Sequence, residues 1–352
     1  MLFTDLLNID FPIVQAPLVG GYSSPEMVAT VSNLGCLGTL ALGNSSPEQI
    51  EAQCLATQAL TDKPFAANFF VIQNQSSPGD SEKVKALQAL DAYYTELGID
   101  PSCLYQEKLS KRPDIHEQIE AVMAFNVPII TFTFGIPSID ILKKLREKST
   151  FLMATATTID EAKMIQDIGF DAVVLQGIEA GGHRASFLSE GNKGPDTSLL
   201  LQQMKGSISI PKIVTGGIMN GQQISNYIKQ GADACQLGTA YLFTHEAKLN
   251  EDYIAAIQKS PIDTCLTKTF TGKYARVVRN KFTQEMENKT AMDFPYQSQL
   301  TSVIQRKAAE LKKFEYMPFW TGSSDVRGYK QSTESLTRQL ISDLQLSLSR
   351  KN

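Results

Sequence analysis

Several large classes of protein are excluded by what this chain lacks. Its five cysteines (Cys36, Cys54, Cys103, Cys235 and Cys265) are an odd number and contain no C-x-x-C pair. That argues against a disulfide framework and against a structural zinc site, so no metal is expected. A reducing, cytoplasmic setting is the simplest expectation. No basic stripe is present and the net charge is −4, so nucleic acid is not an expected partner. No apolar run reaches the length of about 18 residues that a membrane span takes. The start, MLFTDLLNIDFPIVQAPL, has neither a charged leader nor a small-residue cleavage site and does not read as a signal peptide. There is no Gly-x-Gly-x-x-Gly turn, P-loop, nucleophile elbow or Ser/His/Asp set. Only three histidines occur, His116, His183 and His245, and one tryptophan, Trp320.

What is present is a rhythm. Short apolar runs recur at Pro12–Ala16, Cys36–Ala41, Phe65–Val71, Pro128–Phe134, Phe151–Thr155, Ala172–Gln176, Lys212–Thr215 and Ala234–Leu237. They are continuous rather than alternating, as expected of parallel strands buried on both faces. Helix signals lie between them. Ser24-Pro25-Glu26 and Ser46-Pro47-Glu48 each put a capping serine before a first-turn proline and an acid. Ser138, Thr158 and Asn220 are further cap candidates, and Gly35, Gly169 and Gly231 stand where helices should end. The expected fold class is α/β, a (β/α)8 TIM barrel. An open doubly wound sheet is the alternative, disfavoured by the missing glycine fingerprint after the first strand.

Two segments exceed a minimal barrel. Gln73–Glu117 is long, polar and partly helical. Phe243 to about Phe319 follows the eighth strand, contains a strand-like piece at Thr267–Val278, and reads as a smaller α+β cap over the mouth. The expected division is a barrel over 1–242, a cap over 243–324, and a C-terminal helix at about 325–352 (its amphipathic part Gln331–Ser349) returning to the barrel wall.

Barrels collect function where strands end and βα loops begin. Asn68, Gln176 and Gln236 are amides near the ends of apolar strands. One such amide would be an ordinary buried polar group; three at equivalent positions favour a heteroaromatic ring with several N and O edges. Glycine turns follow: Gly181-Gly182, Gly216-Gly217 and Gly238-Thr239 after Leu237. Turns after the seventh and eighth strands are where barrels bind phosphate through backbone N–H groups. A ring with one phosphate points to FMN. His183 follows Glu179-Ala180-Gly181-Gly182, beside the ring-binding amide. It could abstract a proton from a substrate carbon or steady an anion. His116 reads as solvated, His245 as a helix cap, and Trp320 as packing between cap and barrel. Tyr105, Tyr296 and Lys307 are candidates to line the pocket, with Lys307 able to attract an acidic substrate.

The stretches QAPLVGGYSSPEMVATVSNLGCLG, AANFFV, LQGIEAGGHRASF, IVTGGIMNGQQISNYIKQGADACQLGTAYL and TFTGKYARVVRN resemble the nitronate monooxygenase family, class I, in order and spacing over nearly the whole chain. The resemblance implies a TIM barrel with a small cap and non-covalent FMN. It places flavin contacts on Asn68, Gln176, Gly181, Gly217 and Gln236–Thr239, with Ala16 and Pro17 near the ring, and the active-site histidine on His183. The implied activity is oxidation of alkyl nitronates by O2, through one-electron transfer to flavin, to a carbonyl product and nitrite. Propionate 3-nitronate is the substrate associated with class I. A monomer or homodimer is expected. Leu18 stands where the family often has methionine, and Ala185-Ser186 where a glycine is common. Two other readings share the barrel and the flavin: an enoyl-acyl-carrier-protein reductase using NAD(P)H, and a flavin-binding module without turnover.

Overall fold

The computed structural model describes residues 2–72, 78–106, 109, 112–258, 262–326 and 330–349. Parts of the expected insertion and of the C-terminal segment, at 73–77, 107–108, 110–111, 327–329 and 350–352, lie outside the described residues.

Eleven strands are described: β1 (Ile13–Gln15), β2 (Gly38–Ala41), β3 (Phe65–Phe70), β4 (Ile129–Thr133), β5 (Phe151–Ala156), β6 (Ala172–Gln176), β7 (Gly182–His183), β8 (Lys212–Thr215), β9 (Ala234–Leu237), β10 (Thr264–Thr267) and β11 (Ala275–Val278). Eight of them form one parallel sheet in the order β1-β9-β8-β6-β5-β4-β3-β2. A parallel bridge between Val14 and Leu37 joins its two ends, so the sheet closes into the expected barrel. The expected first and second strands are longer than β1 and β2 because their flanks pair without strand geometry. Pro12 accepts from Cys235 N–H, Ala16 N–H donates to Leu237, and Leu37 exchanges bonds with Ile13 and Gln15. The barrel strands are apolar and largely buried on both faces, as helices outside and side chains inside require.

The expected caps form. Ser24, Ser46, Ser138, Thr158 and Asn220 each accept a backbone N–H in the first turn of a helix. Helix Thr333–Ser349 packs between helices Pro25–Asn33 and Gly221–Gln230. The approach to the latter is close: a Cβ at Gly221 would lie 2.5 Å from the Leu340 carbonyl oxygen. This helix therefore fills the outer position that would otherwise follow β9, whose chain leaves for the cap.

The strand-like piece at Thr267–Val278 is a hairpin rather than one strand. β10 and β11 pair antiparallel, Thr267 opposite Ala275, and Gly272 turns the chain at φ +87°. β11 then pairs with β7, Ala275 opposite His183. The loop after β6 is thus the third strand of the cap sheet, and the histidine is fixed by backbone pairing. The cap core also draws on the first insertion. Ala86, Leu87, Leu90, Tyr93, Tyr94 and Leu97 of helix Asp80–Leu97 bury against Phe282, Tyr296, Leu300, Ile304 and Tyr316. Glu96 accepts from the Tyr316 hydroxyl at 2.5 Å and pairs with Lys281 at 3.3 Å, fastening the same two segments at the surface.

Candidate active site

A cavity of about 420 Å³ opens at the C-terminal ends of the barrel strands, under the cap. Its size falls within the range of small-molecule and cofactor sites. Ala16, Pro17, Asn68, Gln176, Gly181, Gly182, His183, Gly216, Gly217, Gln236, Gly238 and Thr239 all line it. Leu237 does not. Its neighbours Gln236 and Gly238 face the barrel interior, so strand alternation turns Leu237 outward, into the core. Tyr105, Tyr296 and Lys307 also lie away from this wall. Tyr105 is exposed, Tyr296 is buried in the cap core, and Lys307 pairs with Glu310 at 2.9 Å on the outer face of helix Tyr296–Glu310. The cavity faces of that helix are Ser298 and Gln305.

Each amide is set by its neighbours. Asn68 is buried; its Nδ2 donates to Thr133 Oγ1 at 3.0 Å and to the Thr131 carbonyl at 3.3 Å. Its Oδ1 is buried with no partner, and Asn68 belongs to the cavity wall. An orphaned acceptor of this kind is costly unless a donor fills it. Gln176 Oε1 accepts from Arg184 Nη1 at 3.0 Å and from Ala185 N–H at 2.9 Å, which turns Nε2 to the His183 carbonyl at 3.0 Å. Arg184 is fully buried, and the same Nη1 also reaches the carbonyls of Gln176 and Gly177. The arginine, which reads from sequence as a solvated neighbour of His183, is a buried anchor of its loop. At the first strand end, Gln15 accepts from Thr39 N–H at 2.9 Å and donates to Ser23 Oγ at 2.9 Å, fixing the turn that carries Ala16 and Pro17.

The glycine turns are bound to the cap. Gly216 and Gly217 have φ of +127° and +70°, a region that an L side chain rarely adopts. The Gly217 carbonyl accepts from Ser324 Oγ at 2.9 Å, Thr239 Oγ1 accepts from Gly322 N–H at 2.9 Å, and the Glu179 carbonyl accepts from Ser323 N–H at 3.1 Å. Segment 320–324 thereby holds three βα loops at once. Trp320, at its start, lies on the cavity wall with its ring stacked on His183, centroids 5.3 Å apart.

His183 is enclosed by aromatic rings. Phe134 and Phe294 meet it edge-on at 5.7 and 5.4 Å, beside the Trp320 stack. Burial holds its pKa at about 3, helped by the positive charges of Arg112 and Lys273. The imidazole is therefore neutral across the physiological range. Its Nε2 lies 2.9 Å from Thr271 Oγ1, which itself lies 3.1 Å from the Lys273 carbonyl. The hydroxyl has one proton, and both contacts are satisfied when it goes to that carbonyl and Nε2–H donates to the hydroxyl. His116 and His245 are exposed, and His245 opens a short 3-10 helix.

Sequence reasoning missed Arg112, Phe134, Thr271, Phe294 and the site role of Trp320, all on the wall. None follows a barrel strand at a motif position except Phe134, which ends an apolar run. Among the described residues no cluster of His, Cys, Asp and Glu could hold a metal ion, and no helix is long and apolar enough to cross a membrane.

A closed parallel barrel with amides and glycine turns converging under a cap is the architecture of a small-molecule or cofactor site at the strand ends. The comparisons with known proteins make this specific. The family model "Nitronate monooxygenase" matches residues 1–345. The chain is 36% identical over 347 residues to a probable nitronate monooxygenase of Staphylococcus aureus (strain MSSA476), covering 97% of this chain and 96% of that one. It is 36% identical over 345 residues to a protein of the same description from Staphylococcus haemolyticus (strain JCSC1435), with 96% and 95% covered. Nitroalkane oxidase from Streptomyces ansochromogenes superposes with a TM-score of 0.90 at 30% identity, over 99% of both chains. FabK from Thermotoga maritima gives a TM-score of 0.73 at 24% identity, over 99% of this chain and 96% of that one, a likeness of fold alone. The chain belongs to the nitronate monooxygenase family, class I, and is a flavin-dependent oxidoreductase.

Proposed function

We propose that this enzyme binds FMN and oxidises alkyl nitronates with O2 to a carbonyl product and nitrite, with propionate 3-nitronate as substrate. The observation that carries the cofactor is the Oδ1 of Asn68, a buried acceptor without a donor on a residue of the wall that also holds Gln176 and Gln236. A ring carrying its own N–H fits that wall. Asn68, Gln176 and Gln236 would hold the ring edges, with Ala16 and Pro17 beside it. The backbone at Gly181, Gly182, Gly216, Gly217, Gly238 and Thr239 would hold the phosphate. Bound FMN supplies the redox chemistry.

The chain's own side chains supply position and an apolar setting. His183 keeps its proton on Nε2, directed at Thr271, and at a pKa of about 3 it is a poor general base. This favours a substrate that arrives already deprotonated, a nitronate anion, over a neutral nitroalkane. Phe134, Phe294 and Trp320 surround the half-buried imidazole with apolar ring surface. Arg112 and Lys273 supply the positive field that an anion needs, since the imidazole carries no charge.

The deciding experiment is anaerobic absorbance spectroscopy of the purified protein, split between propionate 3-nitronate and NADPH. The flavin spectrum should change rapidly with the nitronate and not with NADPH. Bleaching by NADPH alone would move the enzyme to the enoyl-reductase reading. A response to neither would favour a flavin-binding module without turnover, and a colourless protein unable to take up FMN would overturn the cofactor.

A second expectation concerns the phosphate end. Gly217→Val forces a β-branched residue to φ +70° in a turn whose carbonyl is bonded by Ser324. FMN affinity should fall by at least about fivefold, since strain of this kind costs about 1–3 kcal/mol. Flavin-to-protein absorbance after dialysis measures it, and full retention of FMN would remove Gly217 from the cofactor site.

A further inference from the structure

Among the described residues of the cavity wall, Arg112 is the sole Lys, Arg, Asp or Glu. The guanidinium carbon stands 4.2 Å from the centre of the Phe294 ring and 5.3 Å from that of Phe70. Its hydrogen bond goes to Asn44 Oδ1, a neutral amide that also lines the cavity. A guanidinium carries five N–H donors in a planar fork. No carboxylate among the described residues meets this one.

The placement is not that of a phosphate ligand. Phe70 ends β3 and Phe134 follows β4, and these two strands lie across the eight-membered ring from β8 and β9, whose glycine turns form the phosphate end. Arg112 does lie close to His183, because Phe294 touches both, with the imidazole centroid 5.4 Å from its ring. The cavity wall thus carries a cationic fork and a neutral imidazole, with one aromatic ring touching both. Burial lowers the Arg112 pKa to about 10, so it stays charged at neutral pH. The other nearby cation, Lys273, is tied by Nζ to the Ser186 carbonyl at 2.9 Å. Lys273 does not line the cavity, and Arg112 does.

We propose that Arg112, steadied by Asn44 and the rings of Phe70 and Phe294, is an anion subsite that takes a carboxylate carried on the tail of the nitronate, and that it sets the preference for carboxylated over plain alkyl nitronates. This rests on the nitronate reading above. The nitronate head belongs over the ring-binding amides, beside His183. A short carbon chain from that point brings a second anion to Arg112, whose planar fork binds a carboxylate through paired N–H bonds. Desolvation by the flanking rings strengthens that pairing.

The test compares wild type, Arg112→Gln and Arg112→Lys, all loaded with FMN, on propionate 3-nitronate and propyl 1-nitronate. The ratio of kcat/KM for the carboxylated over the plain nitronate should fall about 10- to 100-fold in the glutamine variant, the worth of a hydrogen bond to a charged group. The loss should appear in KM more than in kcat, and lysine should restore part of it. A second readout needs no turnover: propionate titrated into the holoenzyme should perturb the flavin absorbance saturably in wild type and at least tenfold more weakly in the glutamine variant. An unchanged ratio, an equal loss on both substrates, or undiminished propionate binding would overturn the subsite. So would loss of FMN from the glutamine variant. If wild type turns over neither nitronate, the nitronate reading fails, and the propionate titration alone decides whether Arg112 binds a carboxylate.

Discussion

Replacing Glu161 by alanine is expected to destabilise the protein by about 3–5 kcal/mol, because four donors, two of them buried, would lose their acceptor together. Glu161 sits in the first turn of helix Ile159–Asp167 and is fully buried. One carboxylate oxygen accepts the backbone N–H groups of Phe187 and Leu188 at 2.7 and 2.9 Å. The other accepts the N–H and the hydroxyl of Thr157 at 2.6 and 2.8 Å. The residue thereby ties the end of the β6 loop, which carries His183, to the start of a helix after β5. Arg184 and Lys273 lie within its field, so the negative charge is compensated without a direct ion pair. Glu161→Gln should cost less, since it keeps one acceptor oxygen, but its NH2 group must then face donors. Urea unfolding at constant m-value measures both. A loss under about 1 kcal/mol for the alanine variant would show that water reaches these donors and that the loop is held by other contacts. Limited proteolysis within 184–195 should accelerate in parallel, since the loop would be released before the barrel opens.

The barrel and the inner wall of its cavity were legible because both follow from strand chemistry. A strand buried on two faces must be apolar throughout, so an amide at its end stands out, and Asn68, Gln176 and Gln236 all reach the cavity. The outer wall was not legible, because the cap turns faces that a single sequence cannot assign. Helix Tyr296–Glu310 shows this. Tyr296 reads from sequence as a candidate to line the pocket, yet with Leu300 and Ile304 it forms a stripe that meets helix Asp80–Leu97 in the cap core. The cavity receives Ser298 and Gln305 instead. Periodicity gives the stripe; which neighbour covers it depends on the partner helix, contributed by an insertion about 200 residues earlier in the chain. Arg112 had no signal at all, since an arginine in a polar stretch normally faces water. Trp320 was legible as a packing residue, and its aromatic neighbour turned out to be His183 itself.

The largest pH effect should come from His183, and its sign follows from the direction of the shift. The folded pKa, about 3, lies below the unfolded value of 6.5. As pH falls below 6.5 the unfolded chain takes up a proton that the native protein refuses, so the native state loses stability progressively until about pH 3. At pH 5 the loss relative to pH 7 is about 2 kcal/mol, and that figure holds for any folded pKa well below 5. Asn in place of His183 removes the titration while leaving the carboxylates unchanged. Urea midpoints at pH 7 and pH 5 should therefore diverge between wild type and His183→Asn, the variant losing about 2 kcal/mol less on acidification. Parallel losses would mean that the imidazole is protonated in the native state at pH 5 and that the aromatic enclosure does not exclude its charge. A bound anion has the opposite influence to burial, because it stabilises the imidazolium. Propionate at saturating concentration should narrow the difference between wild type and variant at pH 5. The same enclosure predicts a kcat/KM profile with no His183 inflection near pH 6.5. The imidazole then works as a neutral part of the wall, and the charged side chain on the described wall is Arg112.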